Sequence, residues 1–213
     1  MQRDIIWITG PSGGGKTEVI NRLSGLLDID TIYTDAYEML HLNRIDTDHR
    51  YHIHPFSDEQ FLLTTSHHFD QAIMNLVDKV RSTSRDTPKL IELARGVGNN
   101  KEINASYERL SELLPISIQE RSILVHINTP YESRVSFNNP RRIKDFKTDL
   151  PHSSFKVPNL AMESFYISDD LKEARQLFRC PVVVVENSGG HSSLLHAVDE
   201  LSINLKSILR TNE

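Results

Sequence analysis

The chain has 213 residues, 25% of them charged and 38% hydrophobic, with a formal net charge of -5. That size suits one well-buried domain with an inserted segment rather than two independent ones, and the acidic balance excludes a global attraction to nucleic acid. Cys180 is the only cysteine, so no intramolecular disulfide can form; no signal-peptide pattern opens the chain, and the longest apolar runs, "IIWI" and "PVVVVE", fall far short of the roughly 20 residues that cross a bilayer. A soluble protein of the reducing cytoplasm, with no membrane partner, is expected.

The first predicted strand, Ile5 to Thr9, runs into "GPSGGGKT". Gly10, Ser12, Gly13, Gly14, Gly15, Lys16 and Thr17 fit G-x-x-x-x-G-K-[ST] between a strand and a helix, which is the context the motif requires. Glycines let backbone N–H groups curl toward an anion at a helix N-terminus, where the dipole already favours negative charge. Lys16 would reach the β- and γ-phosphates of ATP and Thr17 would ligate Mg2+.

A second strand, Thr31 to Tyr33, is followed by "TDAYEM". Asp35 stands where a carboxylate can take a proton from an acceptor hydroxyl during phosphoryl transfer, and equally where it would cap a helix from Ala36. Downstream, "HLNRIDTDHRYHIHPFSDEQ" carries Arg44, Arg50, Tyr51, His52 and His54, which either shape an acceptor site or form an ordinary polar loop. The i,i+2 spacing of the two histidines suits only an extended chain and brings no established zinc pattern. "SDEQ" reads as a helix start capped by Ser57, with Gln60 reaching back, so a long helix is expected over "FLLTTSHHFDQAIMNLVDKV".

The third strand, Leu90 to Leu93, contains Glu92 and leads to Arg95 in "IELARG". A carboxylate inside an apolar strand is costly without a partner; Glu92 would hold magnesium or share the general-base role, or sit in a structural ion pair, and Arg95 would clamp a phosphate. After the fourth strand, Ile123 to Ile127, "TPYE" starts a helix near Tyr131, with Thr129 as cap and Pro130 at its first position. Arg134, Arg141 and Arg142 follow, of which Arg134 is the favoured candidate for neutralising transition-state charge, against a solvated basic face. The polar stretch 138–159 reads as a long loop or lid. In "SFYISDDLKEAR", Ser168 is expected to cap a helix with Asp169 and Asp170 in its first turn. The fifth strand, Val182 to Val185, ends in "ENSGG", which either lets Asn187 and its neighbours approach adenine or is a plain strand-to-helix turn that needs glycine. Strands alternating with helices predict an α/β fold with a mostly parallel sheet covered on both faces, and functional residues just beyond the strands' carboxyl ends.

With these residues in view, the chain resembles the P-loop kinases of the nucleoside monophosphate, shikimate and gluconate kinase type over nearly its whole length. The resemblance implies one three-layer P-loop domain spanning 1–213, with a five-stranded parallel sheet in the order 2-3-1-4-5. It also implies an acceptor-binding insertion at 36–88 and a lid at 130–160 bearing "SRVSFNNPRR". The implied donor is ATP with Mg2+, and the implied acceptor a hydroxyl on a small molecule or nucleoside. Three departures mark the chain: no N-K-x-D, "ELARG" in place of D-G-x-P-R, and a long segment between Asp35 and Leu90. Two alternatives stay open, a kinase for a hydroxyl within DNA or RNA, using Arg44, Arg50, Tyr51, Phe56, Arg141, Arg142, Lys144 and Lys147, and a nucleotide-dependent switch with a protein partner.

Overall fold

The computed structural model describes residues 3–46, 48, 52–57, 60–141 and 156–210. Among them the strands run, in chain order, β1 (Ile5–Gly10), β2 (Thr31–Thr34), β3 (His52–Ser57), β4 (Gln60–Leu63), β5 (Lys89–Ala94), β6 (Ser122–Asn128) and β7 (Val182–Glu186). The helices are α1 (Lys16–Leu27), α2 (Asp35–Ile45), α3 (His67–Ser82), α4 (Tyr107–Leu113), α5 (Ile116–Gln119), α6 (Tyr131–Asn138), α7 (Asn159–Phe165), α8 (Leu171–Ala174) and α9 (His191–Arg210).

β1 is buried along its whole length because both of its faces are covered. Alternate side chains leave a strand on opposite sides, so Ile5 and Trp7 join one apolar cluster with Ile73, Leu76 and Leu110, while Ile6 and Ile8 join another with Val19, Leu23 and Val198. The first cluster is roofed by α3 and α4, the second by α1 and α9, which gives three layers. The main sheet has the order β2-β5-β1-β6-β7, and every neighbouring pair is parallel. Counted over the five sheet strands alone, that is the expected 2-3-1-4-5. At the far end from the phosphate loop, the buried Asp4 carboxylate accepts from Lys89 at 2.8 Å and from Arg121 at 2.6 and 2.8 Å, tying the starts of three neighbouring strands.

Three local expectations are corrected. Residues after Ser57 do not begin the long helix: β3 and β4 form an antiparallel hairpin, with His52 opposite Leu63, and α3 starts only at His67. The short apolar run 61–63 fits strand and helix periods equally, and only from His68 does burial recur at helical spacing, through Phe69, Ala72, Ile73, Leu76, Val77 and Val80. Thr129 does not cap α6; its hydroxyl donates to the carbonyl of Gly14 at 2.9 Å, although the helix does begin at Tyr131. Ser168 pairs through its backbone with Val97 instead of capping a helix, and the carboxylate of Asp170, the residue just before α8, accepts from Tyr107 N at 2.7 Å and Glu108 N at 2.9 Å, joining Ser106 in satisfying the first turn of α4.

Candidate functional site

The carboxyl ends of β1, β2, β5, β6 and β7 converge on the loop 10–17. Gly13 and Gly15 have φ of 82° and 96°, in the left-handed region. A side chain at Gly13 would also meet the Arg134 carbonyl at 2.8 Å. Lys16 folds back across the loop to donate to the Pro11 carbonyl at 3.2 Å and is almost fully buried. Burial lowers its ammonium pKa, opposed by the nearby carboxylates of Glu92 and Asp35. A buried cation held among backbone dipoles in this way is suited to an anion.

Thr17 donates to the Glu92 carboxylate at 3.3 Å. These two hard oxygen ligands, one from the start of α1 and one from β5, fit Mg2+, which takes few protein ligands and completes its shell with phosphate and water. Among the described residues no group of three or more His, Cys, Asp or Glu side chains forms a dedicated metal cage.

Asp35 is the first residue of α2, and the cap of that helix is Thr34, whose hydroxyl accepts from Tyr37 N. The Asp35 carboxylate is thereby released to turn toward β5, where it accepts from Ala94 N at 2.6 Å. It is buried, and burial raises its pKa above the ordinary carboxylate value, opposed first by Arg95 and then by Lys16. Arg95 is fully enclosed, stacked over Phe69 at 5.4 Å, with its guanidinium 3.8 Å from Asp35. None of its three guanidinium nitrogens has a hydrogen-bond partner among the described residues. Buried polar groups are normally paired, so this guanidinium is the strongest unmet demand for an anion in the site.

Tyr166 is buried beside the same pair. Burial raises its phenol pKa, followed by the proximity of Asp35, and its hydroxyl interacts with Ser12 of the phosphate loop. Its position follows from a backbone zipper in which Val97 N donates to Ser168 O at 2.7 Å and Asn99 N to Glu163 O at 3.0 Å. Gly98 permits that approach, since a Cβ there would lie 2.0 Å from Ser164 O.

The arginines separate. Arg134 is buried and donates to the carbonyls of Thr129 at 3.0 Å, Tyr166, and Ile167 at 2.8 Å, with its guanidinium 5.2 Å from the Tyr131 ring. Each of its guanidinium nitrogens thus donates to a backbone carbonyl, in a residue expected from the sequence to neutralise transition-state charge. Arg141 reaches Glu18 in the first turn of α1 at 3.8 Å and lies close enough to Lys16 to lower its pKa. Just before the stretch 142–155, Asn138 pairs with Val157 through both amide atoms, accepting from N at 2.8 Å and donating to O at 2.6 Å. Asn187 donates to Gly14 O at 3.0 Å, touching the phosphate loop.

Arg44 is exposed at the last turn of α2, about 13 Å along the helix from Asp35. Arg50, Tyr51, Arg142, Lys144 and Lys147 lie outside the described residues, as do the side chains of His52, His54 and Phe56. Two further groups gave little signal in the sequence. Tyr107 donates to Thr9 Oγ1 at 2.9 Å and meets His126 Nδ1 at 2.6 Å, and His126 Nε2 stands 3.5 Å from Asp169. Burial lowers the His126 pKa, against the pull of Asp169.

No protein-family model matches the sequence, and no curated protein matches it significantly. Solved structures do match. Shikimate kinase from Acinetobacter baumannii, in complex with shikimate, is 16% identical, with a TM-score of 0.52 over 98% of this chain and 96% of that one. A sugar kinase from Janibacter sp., unliganded, is 12% identical, with a TM-score of 0.51 over 97% of this chain and 95% of that one. The chain therefore shares the three-layer α/β fold of these two kinase structures over nearly its whole length.

Proposed function

We propose that the protein is an ATP- and Mg2+-dependent kinase that phosphorylates a hydroxyl of a small acceptor carrying an anionic group. The observation that carries this reading is the enclosed pair of Asp35 and Arg95 beside Lys16, because it sets a proton-accepting carboxylate and an unsatisfied cation next to the phosphate loop.

Lys16 and the loop amides hold the β- and γ-phosphates, and Arg141 stands over the same end of α1 to meet the transferring group. Thr17 and Glu92 would hold Mg2+, which when bound would supply positive charge against the phosphates. Asp35 receives the acceptor's hydroxyl proton as the new O–P bond forms and the bond from the γ-phosphorus to the bridging oxygen breaks, leaving ADP. Its raised pKa suits a proton acceptor. Arg95 fixes the acceptor's anionic group, and the buried Tyr166 shields the pair from water.

A coupled assay for ADP release, run with hydroxy acids, sugar phosphates, neutral sugars and nucleosides, tests the assignment. Stimulation by hydroxylated anions is expected. Stimulation by neutral alcohols alone would remove Arg95 from the acceptor site, and turnover that no acceptor raises would favour the nucleotide switch.

A further inference from the structure

The carbonyl of Gly14 is gripped from two strand ends at once. Thr129 Oγ1, just beyond β6, donates to it at 2.9 Å, and Asn187 Nδ2, just beyond β7, donates at 3.0 Å. Both side chains are buried, so neither bond competes with water. In a trans peptide the C=O and the following N–H point in opposite directions. Two donors on the Gly14 oxygen therefore fix the plane of the Gly14–Gly15 peptide and aim the Gly15 N–H away from β6 and β7. Gly15 itself has φ of 96°, and a Cβ there would lie 2.8 Å from Leu194 and 3.1 Å from Asn187 Nδ2, so the brace requires glycine at this position.

Each arm of the brace is itself anchored. Asn187 N donates to Asn128 O at 2.8 Å, and the Thr129 carbonyl accepts from Arg134, the residue that also holds the backbone at Tyr166 and Ile167. Gly14 is thus connected through Thr129 and Arg134 to the segment that carries Tyr166.

We propose that Thr129 and Asn187 are positioning residues that preset the phosphate loop by locking the Gly14–Gly15 peptide. This rests on the reading of the loop as a polyphosphate site. The lock acts before any ligand arrives, so the loop pays little ordering cost on binding. Asn187 thereby acts on phosphate affinity rather than on recognition of the base.

The test uses the full chain and the variants Thr129→Val, Thr129→Ser and Asn187→Ala, each checked for cooperative unfolding. In the nucleotide-free protein, amide hydrogen exchange over residues 13–17 should rise in Thr129→Val and Asn187→Ala and stay slow in Thr129→Ser. Titration with Mg-ATP should show affinity falling about fivefold in each of the first two, the effect of losing one hydrogen bond, and restored in Thr129→Ser. Unchanged exchange in Thr129→Val overturns the lock. Faster exchange with unchanged ATP affinity reduces the brace to a structural tie and overturns the positioning role. Failure of the wild type to bind ATP rejects the polyphosphate reading instead, while the exchange data still decide whether the lock exists. If Thr129→Val does not fold, Asn187→Ala alone supplies both readouts.

Discussion

Arg95 and Asp35 face each other at 3.8 Å, both buried, the one with no hydrogen-bond partner for its guanidinium among the described residues and the other held to the backbone of β5. A structural ion pair of this kind would be expected to satisfy both members; here the cation is left under-bonded, which suits a site completed by an acceptor. Replacing Asp35 with Asn should lower turnover by about 10²–10⁴-fold, the range for loss of general-base assistance. ATP affinity, read by calorimetry, should change little, because the proposed nucleotide contacts lie elsewhere.

Asp35 also sets a pH dependence with a definite sign. Transfer needs the ionised carboxylate, so turnover should fall as pH drops through a folded-state pKa that burial has raised above about 3.9. For stability the direction is opposite. A raised folded pKa contributes stability that is fully present below the unfolded value and is lost as pH rises through the folded one. Denaturant unfolding of wild type and Asp35→Asn across the acid range should show this contribution vanish in the variant.

Arg134 and Arg141 should behave differently. Arg134→Met strips donors from buried carbonyls and should destabilise the fold by about 2–4 kcal/mol, seen as a lower unfolding midpoint. Arg141→Ala should leave stability within about 0.5 kcal/mol and reduce turnover instead. The reverse pattern would return Arg134 to the role expected from the sequence.

At the opposite end of the sheet, Asp4→Ala leaves Lys89 and Arg121 as buried cations without their shared carboxylate. A loss of about 3–5 kcal/mol is expected in chemical denaturation, with ATP affinity of the folded protein unaffected.

Much of the site was legible because its determinants are local. The loop 10–17 declares itself by a fixed spacing after a strand, Asp35 and Arg95 stand just beyond predicted strands, and Glu92 draws notice as a carboxylate inside an apolar one. Cysteine usage was informative too: Cys180 is buried, and burial pushes its thiol up to about 11, in keeping with an inert core residue. What the sequence did not reveal depends on partners distant in the chain. Thr129 has the sequence of a helix cap, and only the fold puts Gly14 within reach of its hydroxyl. Arg134 reads as a free basic side chain until the segment at 166–167 presents carbonyls to it. The hairpin of β3 and β4 was missed because a cap signature and a short apolar run fit a helix as well as a strand.

The measurement that bears most directly on the central claim is transfer of labelled γ-phosphate from ATP to a panel of hydroxylated anions, with Lys16→Ala and Asp35→Asn as controls. The account predicts a labelled phosphate ester from the wild type, none from Lys16→Ala, and a trace from Asp35→Asn. Label appearing only as free phosphate, at a rate that no acceptor changes, would contradict it.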